Sequence, residues 1–435
     1  MVGEGAGFGP PFLFSRACVH FVRGFERVER VGALSHIRVL DLSRVLAAPW
    51  ATQILGDLGA EVIKIEKPGE GDETRHFGPP FLTTANGSKG DATYFLSANR
   101  NKKSVAIDFS KPEGADLIRR LARRSHVVVE NFKTGALAKY GLDYESLAAE
   151  NPALIYCSLT GFGHDGPYKD KAGYDYLIQA MGGLMSITGQ PDGAPGAEPM
   201  KVGVAVSDLF AGLYTAIAIL AALLHQARTG EGQAIDMALF DCQAAALANQ
   251  AMNYLVGGKV PTRLGNAHPN IVPYQLFATA DGFLVLAIAN DQQFKRFCRA
   301  AGEEHLSRDP RFATNADRVA HREALVSSLI PLLAHRSTAE WITLLEQANV
   351  PCGPINRIDQ VFADPQAQAR GLRISLDHAT GPLDLVASPL RLSRTPPEYR
   401  SAPPLLGQHT DEVLQAELEL SQRELSRLRA GAIIA

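Results

Sequence analysis

Apolar and polar positions change rhythm several times along the first half of the chain. A short apolar run at 37–42 gives way to helical spacing over 49–58 that stops at Gly59, and 61–65 returns to a strand-like run. Residues 104–109 predict another strand, and Ser110 with Glu113 forms the S-x-x-E pattern of a capping box opening a helix through Arg124. Strand-like runs recur at 126–130 and 153–159, with Asp143 placed to cap a short helix between them. Strands alternating with helices predict an α/β fold around a parallel, Rossmann-like sheet, with ligands at the carboxyl ends of its strands. Arg44, Lys67 and Asn131 then fall on ligand-facing loops.

A long apolar helix is predicted over 209–227, ended by Thr229-Gly230-Glu231-Gly232, and a second apolar stretch covers 235–255. The longest uncharged apolar run, 209–224, is shorter than the roughly 18 to 20 residues of a membrane span, so it reads as a buried helix. The pattern changes after the loop Gly265-Asn266-Ala267-His268-Pro269-Asn270. There, 274–278 and 283–288 predict a hairpin about Asp281-Gly282, with charged helices near 291–301 and 322–334. The expected division is a large domain beginning at 34–228, linking helices at 229–259, a smaller α+β domain at 260–365, and a return to the large domain at 366–435. Residues 1–33 are Gly-Pro-rich and dotted with arginine, but Glu4, Glu26 and Glu29 count against a mitochondrial transit peptide, so a disordered extension is expected.

A length of 435 residues exceeds what one core usually serves, in line with two domains. With 46% hydrophobic and 20% charged residues, the composition is that of an ordinary globular protein. The net charge of −3 creates no whole-chain field, so neither nucleic acid nor membrane is expected as a partner and any anion site must be local. Five cysteines without a CxxC pair suit a reducing compartment, cytoplasm or mitochondrial matrix, and suggest no structural metal.

The Walker, GxSxG and HExxH patterns are absent, which removes the main support for the P-loop nucleotide-binding, serine-hydrolase and zinc-protease readings. Asp208 stands where 202–207 gives way to the long apolar helix, near the positive end of its dipole. On the residues alone, two readings stand: Ser207 or Asp208 caps that helix, or an ionised, partly dehydrated Asp208 attacks a thioester carbonyl. Asp175 likewise reads as the N-cap of its own helix or as a group working beside the nucleophile. Lys67, Arg75, Arg100, Lys102, Lys103 and Lys139 are candidates to receive phosphates, although most such side chains are simply solvated.

Several motifs in order carry a resemblance. Val39-Leu40-Asp41-Leu42-Ser43-Arg44-Val45-Leu46-Ala47-Ala48-Pro49 and 58–69 come first, then Asn99-Arg100-Asn101-Lys102-Lys103-Ser104, Val129-Glu130-Asn131-Phe132, Ser207-Asp208-Leu209-Phe210-Ala211-Gly212 and 404–410. Together they resemble the family III CoA-transferases, the group containing formyl-CoA transferase and carnitine CoA-transferase. Ala172-Gly173-Tyr174-Asp175, the 265–273 loop and 350–356 look most like the succinyl-CoA–glutarate branch.

The resemblance implies CoA transfer from an acyl-CoA such as succinyl-CoA to a short dicarboxylate such as glutarate, with Asp208 as the nucleophile that holds first the acyl group and then CoA. It implies CoA contacts at Leu46, Ala47, Lys67 (where a relative has arginine), Ile107, Asp108, Phe109, Ser110, Asn131, Phe132, Lys133, Lys139 and the 172–175 segment, that is Ala172, Gly173, Tyr174 and Asp175. CoA thioester is then a substrate, and no prosthetic group is expected. The far carboxylate of the acid needs a cation or strong donors, for which Arg44, Arg75 and His268 are the candidates. The resemblance also implies an interlocked homodimer. The related α-methylacyl-CoA racemases carry histidine in a Gly-His-Asp motif where Tyr174 stands here. A phenol with a reference pKa of about 10 is a poor proton shuttle near neutrality, so transfer is favoured over racemisation.

Overall fold

In a computed structural model of the protein, residues 32–84 and 87–435 are described, and the extension expected at 1–33 lies outside them except for its last two residues. The strands of the first half are β1 (Arg38–Asp41), β2 (Glu61–Glu66), the small hairpin β3 (Phe81–Thr83) and β4 (Lys89–Ala92), β5 (Lys102–Ala106), β6 (Val127–Glu130), β7 (Ile155–Thr160) and β8 (Gln233–Ala238). Six of them form one parallel sheet in the order β5-β2-β1-β6-β7-β8. Alternate residues of these apolar runs point to opposite faces, and both faces are covered. Leu40, Ile63 and Val128 enter one core, whereas Val39, Val62 and Val127 enter the other.

The helices are α1 (Ala47–Asp57), α2 (Thr93–Leu96), α3 (Pro112–Arg123), α4 (Tyr144–Glu150), α5 (Asp175–Met181), α6 (Leu184–Ile187), α7 (Val206–Thr229), α8 (Leu239–Ala246) and α9 (Ala248–Leu255). The C-terminal helices Thr410–Leu418 and Gln422–Ala430 return to the sheet, burying Val413, Leu414, Leu425 and Leu428 in the core that holds Leu40. Between these parts, β9 (Tyr274–Ala278), β10 (Phe283–Ala287) and β11 (Cys352–Pro354) form a separate antiparallel sheet. Its core, with Phe277, Leu284, Phe294 and Trp341, is its own.

Four sequence expectations change. Ser110 does not cap α3: the N-cap is Lys111, Pro112 sets the first turn, and the Asp108 carboxylate accepts from both Ser110 N (3.1 Å) and Ser110 Oγ (2.5 Å). The strand expected at 104–109 begins at Lys102 and ends at Ala106, because Lys102 is fully buried against Asp41 rather than marking a loop. Strand β8 emerges from the stretch read as apolar helix, its first residues exposed at the sheet edge. Helix α7 is 24 residues long and, by length and composition only, apolar enough to cross a membrane. It is not buried all round: Ala211, Thr215 and Ile219 face inward, whereas Leu213, Ile217 and Leu224 are exposed.

Helices α1 and α7 approach so closely that a Cβ on Gly212 would lie 2.6 Å from the Ala47 carbonyl oxygen. That oxygen is backbone at the start of α1 and cannot swing aside. Gly212→Val is therefore expected to lower stability by about 1–3 kcal/mol, read as a fall in the denaturation midpoint.

Candidate active site

The loop leaving β1 is held by buried charges. Asp41 Oδ1 accepts from Ser43 N (3.0 Å), while Oδ2 accepts from Thr52 Oγ1 (2.6 Å) and Lys102 Nζ (3.1 Å). Lys64 Nζ donates to the Ser43 carbonyl (2.8 Å) and to Asp72 (2.9 Å). Each of these ions is paired, which is what makes its burial tolerable. The chain then turns through Val45 at φ 70°, a left-handed conformation that a β-branched residue rarely adopts. It is held there by a Val45 N bond to Asp72 Oδ1 (3.3 Å) and by Asn131, whose amide grips Arg44 N (2.8 Å) and Arg44 O (2.6 Å). The loops after β1 and β6 thus form one rigid wall.

The opposite wall is the segment after β7. Its two ends meet at Gly161 and Gly173, where a Cβ on Gly161 would lie 2.6 Å from Gly173 Cα, so neither position has room for a side chain. The segment leads into α5, and Asp175 does not cap its own helix, whose N-cap is Tyr174 without a side-chain bond. Asp175 Oδ1 instead accepts from Ser207 N (2.8 Å) and Asp208 N (3.2 Å), the first free N–H groups of α7, while Oδ2 accepts from Gln179 Nε2 (2.7 Å). Neither Ser207 nor Asp208 caps α7, and the Ser207 hydroxyl donates to Gln243 Oε1 (2.7 Å).

Asp208 is thereby left free for chemistry. Its residue is 8% exposed, and among the described residues no cation pairs with its carboxylate. Burial, and secondarily the neighbouring Asp175 charge, push its pKa up to about 7. Tyr94, which the sequence reading did not single out, feels the same charges: burial first, then Asp208 and Asp175, raise its pKa and keep the phenol protonated.

Asp208 opens into a cleft of about 220 Å³. Of the residues anticipated from the sequence, Arg44, Leu46, Ala47, Asn131, Phe132, Lys133, Ala172, Gly173 and Tyr174 line it. A second cavity of about 380 Å³ adjoins it, sharing Arg44, Glu73 and Phe132, and collects Lys67, Ile107, Asp108, Phe109 and Ser110. The two form one groove across the carboxyl ends of β5, β2, β1, β6 and β7, where an open parallel sheet places its ligands.

Other anticipated residues lie elsewhere. Arg75 is buried between Glu66 (2.7 Å) and Asp91 (2.7 Å) and stacked on Phe95, so it holds the fold rather than facing the cleft. His268 sits beside Tyr274, its Nδ1 accepting from Asn270 N (3.0 Å), and does not line the cleft. Arg44 lines it but is bound to Glu73 and stacks on Phe132. Lys139 lies outside both cavities, with its ammonium over the Tyr140 ring. Arg100 is paired with Asp57, and Lys102 with Asp41, both inside the protein. Of the other lining residues, Glu73, Lys169 and Lys171 are charged and were not anticipated.

Comparison with known proteins matches this arrangement to a family. The model of CoA-transferase family III covers residues 34–410. The succinate–glutarate CoA-transferase of Agrobacterium fabrum is 54% identical over 391 residues, 90% of this chain and 96% of that protein. The succinyl-CoA:glutarate CoA-transferase of Mus musculus is 44% identical over 402 residues, covering 92% of this chain and 90% of that protein. Among solved structures, a CaiB/BaiF family protein from Brucella suis superposes with a TM-score of 0.79 at 49% identity, over 89% of this chain and all of that one. The chain belongs to CoA-transferase family III and is an enzyme of that transferase class.

Proposed function

We propose that the protein transfers CoA from succinyl-CoA to glutarate or a similar short dicarboxylate, through an aspartyl-CoA thioester on Asp208. The observation that carries this reading is a buried carboxylate with no cation partner among the described residues, lining a cleft that shares Arg44, Glu73 and Phe132 with a second cavity. Such a carboxylate is poorly solvated and more basic than usual, which makes it a better nucleophile than a surface aspartate. The acid pair follows from the named activities of the relatives.

In the first step an Asp208 oxygen bonds to the acyl carbon, the C–S bond breaks and CoA thiolate leaves, giving a mixed anhydride. The thiolate then attacks the aspartyl carbon and expels the donor carboxylate. The acceptor carboxylate attacks the resulting thioester, releasing thiolate, which attacks the acceptor's carbonyl and frees Asp208. One thioester replaces another, so neither ATP nor a prosthetic group enters the balance. Lys67, which pairs with Glu70 (2.6 Å), and the 107–110 loop line the second cavity and would meet the nucleotide end of CoA there.

We further propose that the working form is a homodimer. Supporting this reading, Tyr176, Leu177, Val204, Leu213, Ile217, Leu224, Leu255 and Val256 are exposed apolar side chains on or beside α5, α7 and α9.

Incubation with succinyl-CoA and glutarate, with chelator and without ATP, is expected to yield glutaryl-CoA and succinate in equal amounts, read by chromatography. Release of free CoA in place of glutaryl-CoA would refute the transfer reading.

A further inference from the structure

The cations anticipated for the acid's far carboxylate are not available to it: Arg75 is buried in ion pairs, His268 lies off the cleft and Arg44 is held by Glu73. The cleft nevertheless carries a surplus of positive charge, because Lys133, Lys169 and Lys171 line it without a carboxylate partner among the described residues. Two of these three come from the same short segment. Lys169 and Lys171 lie just before Gly173-Tyr174, on the stretch folded back at the Gly161–Gly173 contact. Lys133 belongs to the opposite wall and also borders a different cavity, under Glu130 and Ser158.

We infer that Lys169 and Lys171 are specificity-determining residues that receive the far carboxylate of the dicarboxylate while its near end reacts at Asp208. The inference rests on the functional reading above and names the residues that would select its acids. Three features support the placement. Both lysines line the same cleft as Asp208. The Lys171 ammonium rests 3.7 Å from the centroid of the Tyr168 ring, which confines it without neutralising its charge. Once Asp208 is esterified, one of the two carboxylates lining the cleft is neutral, and the other, Glu73, is already paired, so the lysine charge is least opposed when the acceptor must bind.

The test uses the full-length protein and its Lys169→Gln, Lys171→Gln and doubly substituted forms. Two acceptors of equal chain length are compared, glutarate and pentanoate, the latter lacking the far carboxylate. Loss of a charge-assisted contact is expected to raise KM for glutarate by about 10- to 100-fold in the double variant. KM for pentanoate and the Kd of free CoA should stay within about twofold, since neither involves that contact. Lys171→Glu is further expected to make 5-aminopentanoate a better acceptor than glutarate. Unchanged preference for glutarate over pentanoate in the double variant overturns the inference while leaving the transfer reading intact. A matching rise in the Kd of CoA also overturns it, because the lysines would then serve the cofactor's phosphates. A wild-type protein that transfers CoA to pentanoate as readily as to glutarate refutes both the inference and the acceptor assignment.

Discussion

Replacing Asp208 by alanine or asparagine is expected to lower succinyl-CoA-to-glutarate exchange by about 10⁴-fold or more, because the group that forms both covalent intermediates is then missing. Binding should survive: the cleft walls are set by Val45, Asn131 and the Gly161–Gly173 contact, none of which relies on the Asp208 carboxylate. The Kd of CoA, measured by calorimetry, is expected to change little. The asparagine variant also carries a folding control. The folded-state pKa of Asp208, about 7, lies above that of an unfolded aspartate, so ionising it opposes folding. That cost is absent at pH values below the unfolded pKa of about 3.9, grows as pH rises, and is complete above about 7. Asp208→Asn should therefore melt higher than wild type at pH 8 and show no such gain at pH 4. A loss of activity accompanied by a lower melting temperature at both pH values would point to misfolding instead.

The second large effect is in the pH profile. The nucleophile must be ionised to attack, so kcat/KM should fall about tenfold per pH unit below the Asp208 pKa of about 7. Asp175 holds part of that shift through its charge while its oxygen holds the start of α7. Asp175→Asn keeps an acceptor for Ser207 N and Asp208 N and removes the charge. The acid limb should move to lower pH, stopping above the usual carboxylate range because burial, the larger cause, remains. Asp175→Ala instead removes the acceptor and is expected to lower kcat across the whole pH range. Among the described residues, Tyr94, Tyr174, Lys133, Lys169, Lys171 and the Arg44–Glu73 pair are further charged or titratable groups near Asp208, and all are unaltered in the comparison. If the limb does not move in Asp175→Asn, the Asp175 charge has no hold on the nucleophile.

Much of this was legible in the sequence where one short segment carries its own signal. Strands β1, β2 and β6 carry the apolar stretches Val39-Leu40, Val62-Ile63 and Val127–Val129, which fill the cores on both sheet faces and stand out along the chain. Asp208 and the segments around Leu46, Asn131 and Gly173 could be gathered because their motifs match a known family, and the structure places them in one cleft. What failed depends on partners distant in sequence. Lys102 was a candidate to receive phosphate and is instead buried, because Asp41, 61 residues away, neutralises it. Arg75 looked like a ligand group, yet Glu66 and Asp91 claim its guanidinium. Of the two readings of Asp175, the cap of its own helix fails, because the N–H groups it satisfies lie 32 and 33 residues further on. Lys169 and Lys171 gave no local sign at all, since their place in the cleft depends on how the segment folds back at Gly161 and Gly173. Strand β8 was hidden because an edge strand with exposed polar positions lacks the apolar run of its neighbours.

The most direct test is to capture the enzyme in mid-cycle. Succinyl-CoA is added without acceptor, the protein is quenched in acid and digested, and the peptide containing Asp208 is weighed by mass spectrometry, with hydroxylamine present in a parallel sample. The expected result is CoA joined to Asp208 as a thioester, replaced by a hydroxamate at the same residue when hydroxylamine is present. Normal turnover with an unmodified Asp208 in both samples would contradict the covalent route.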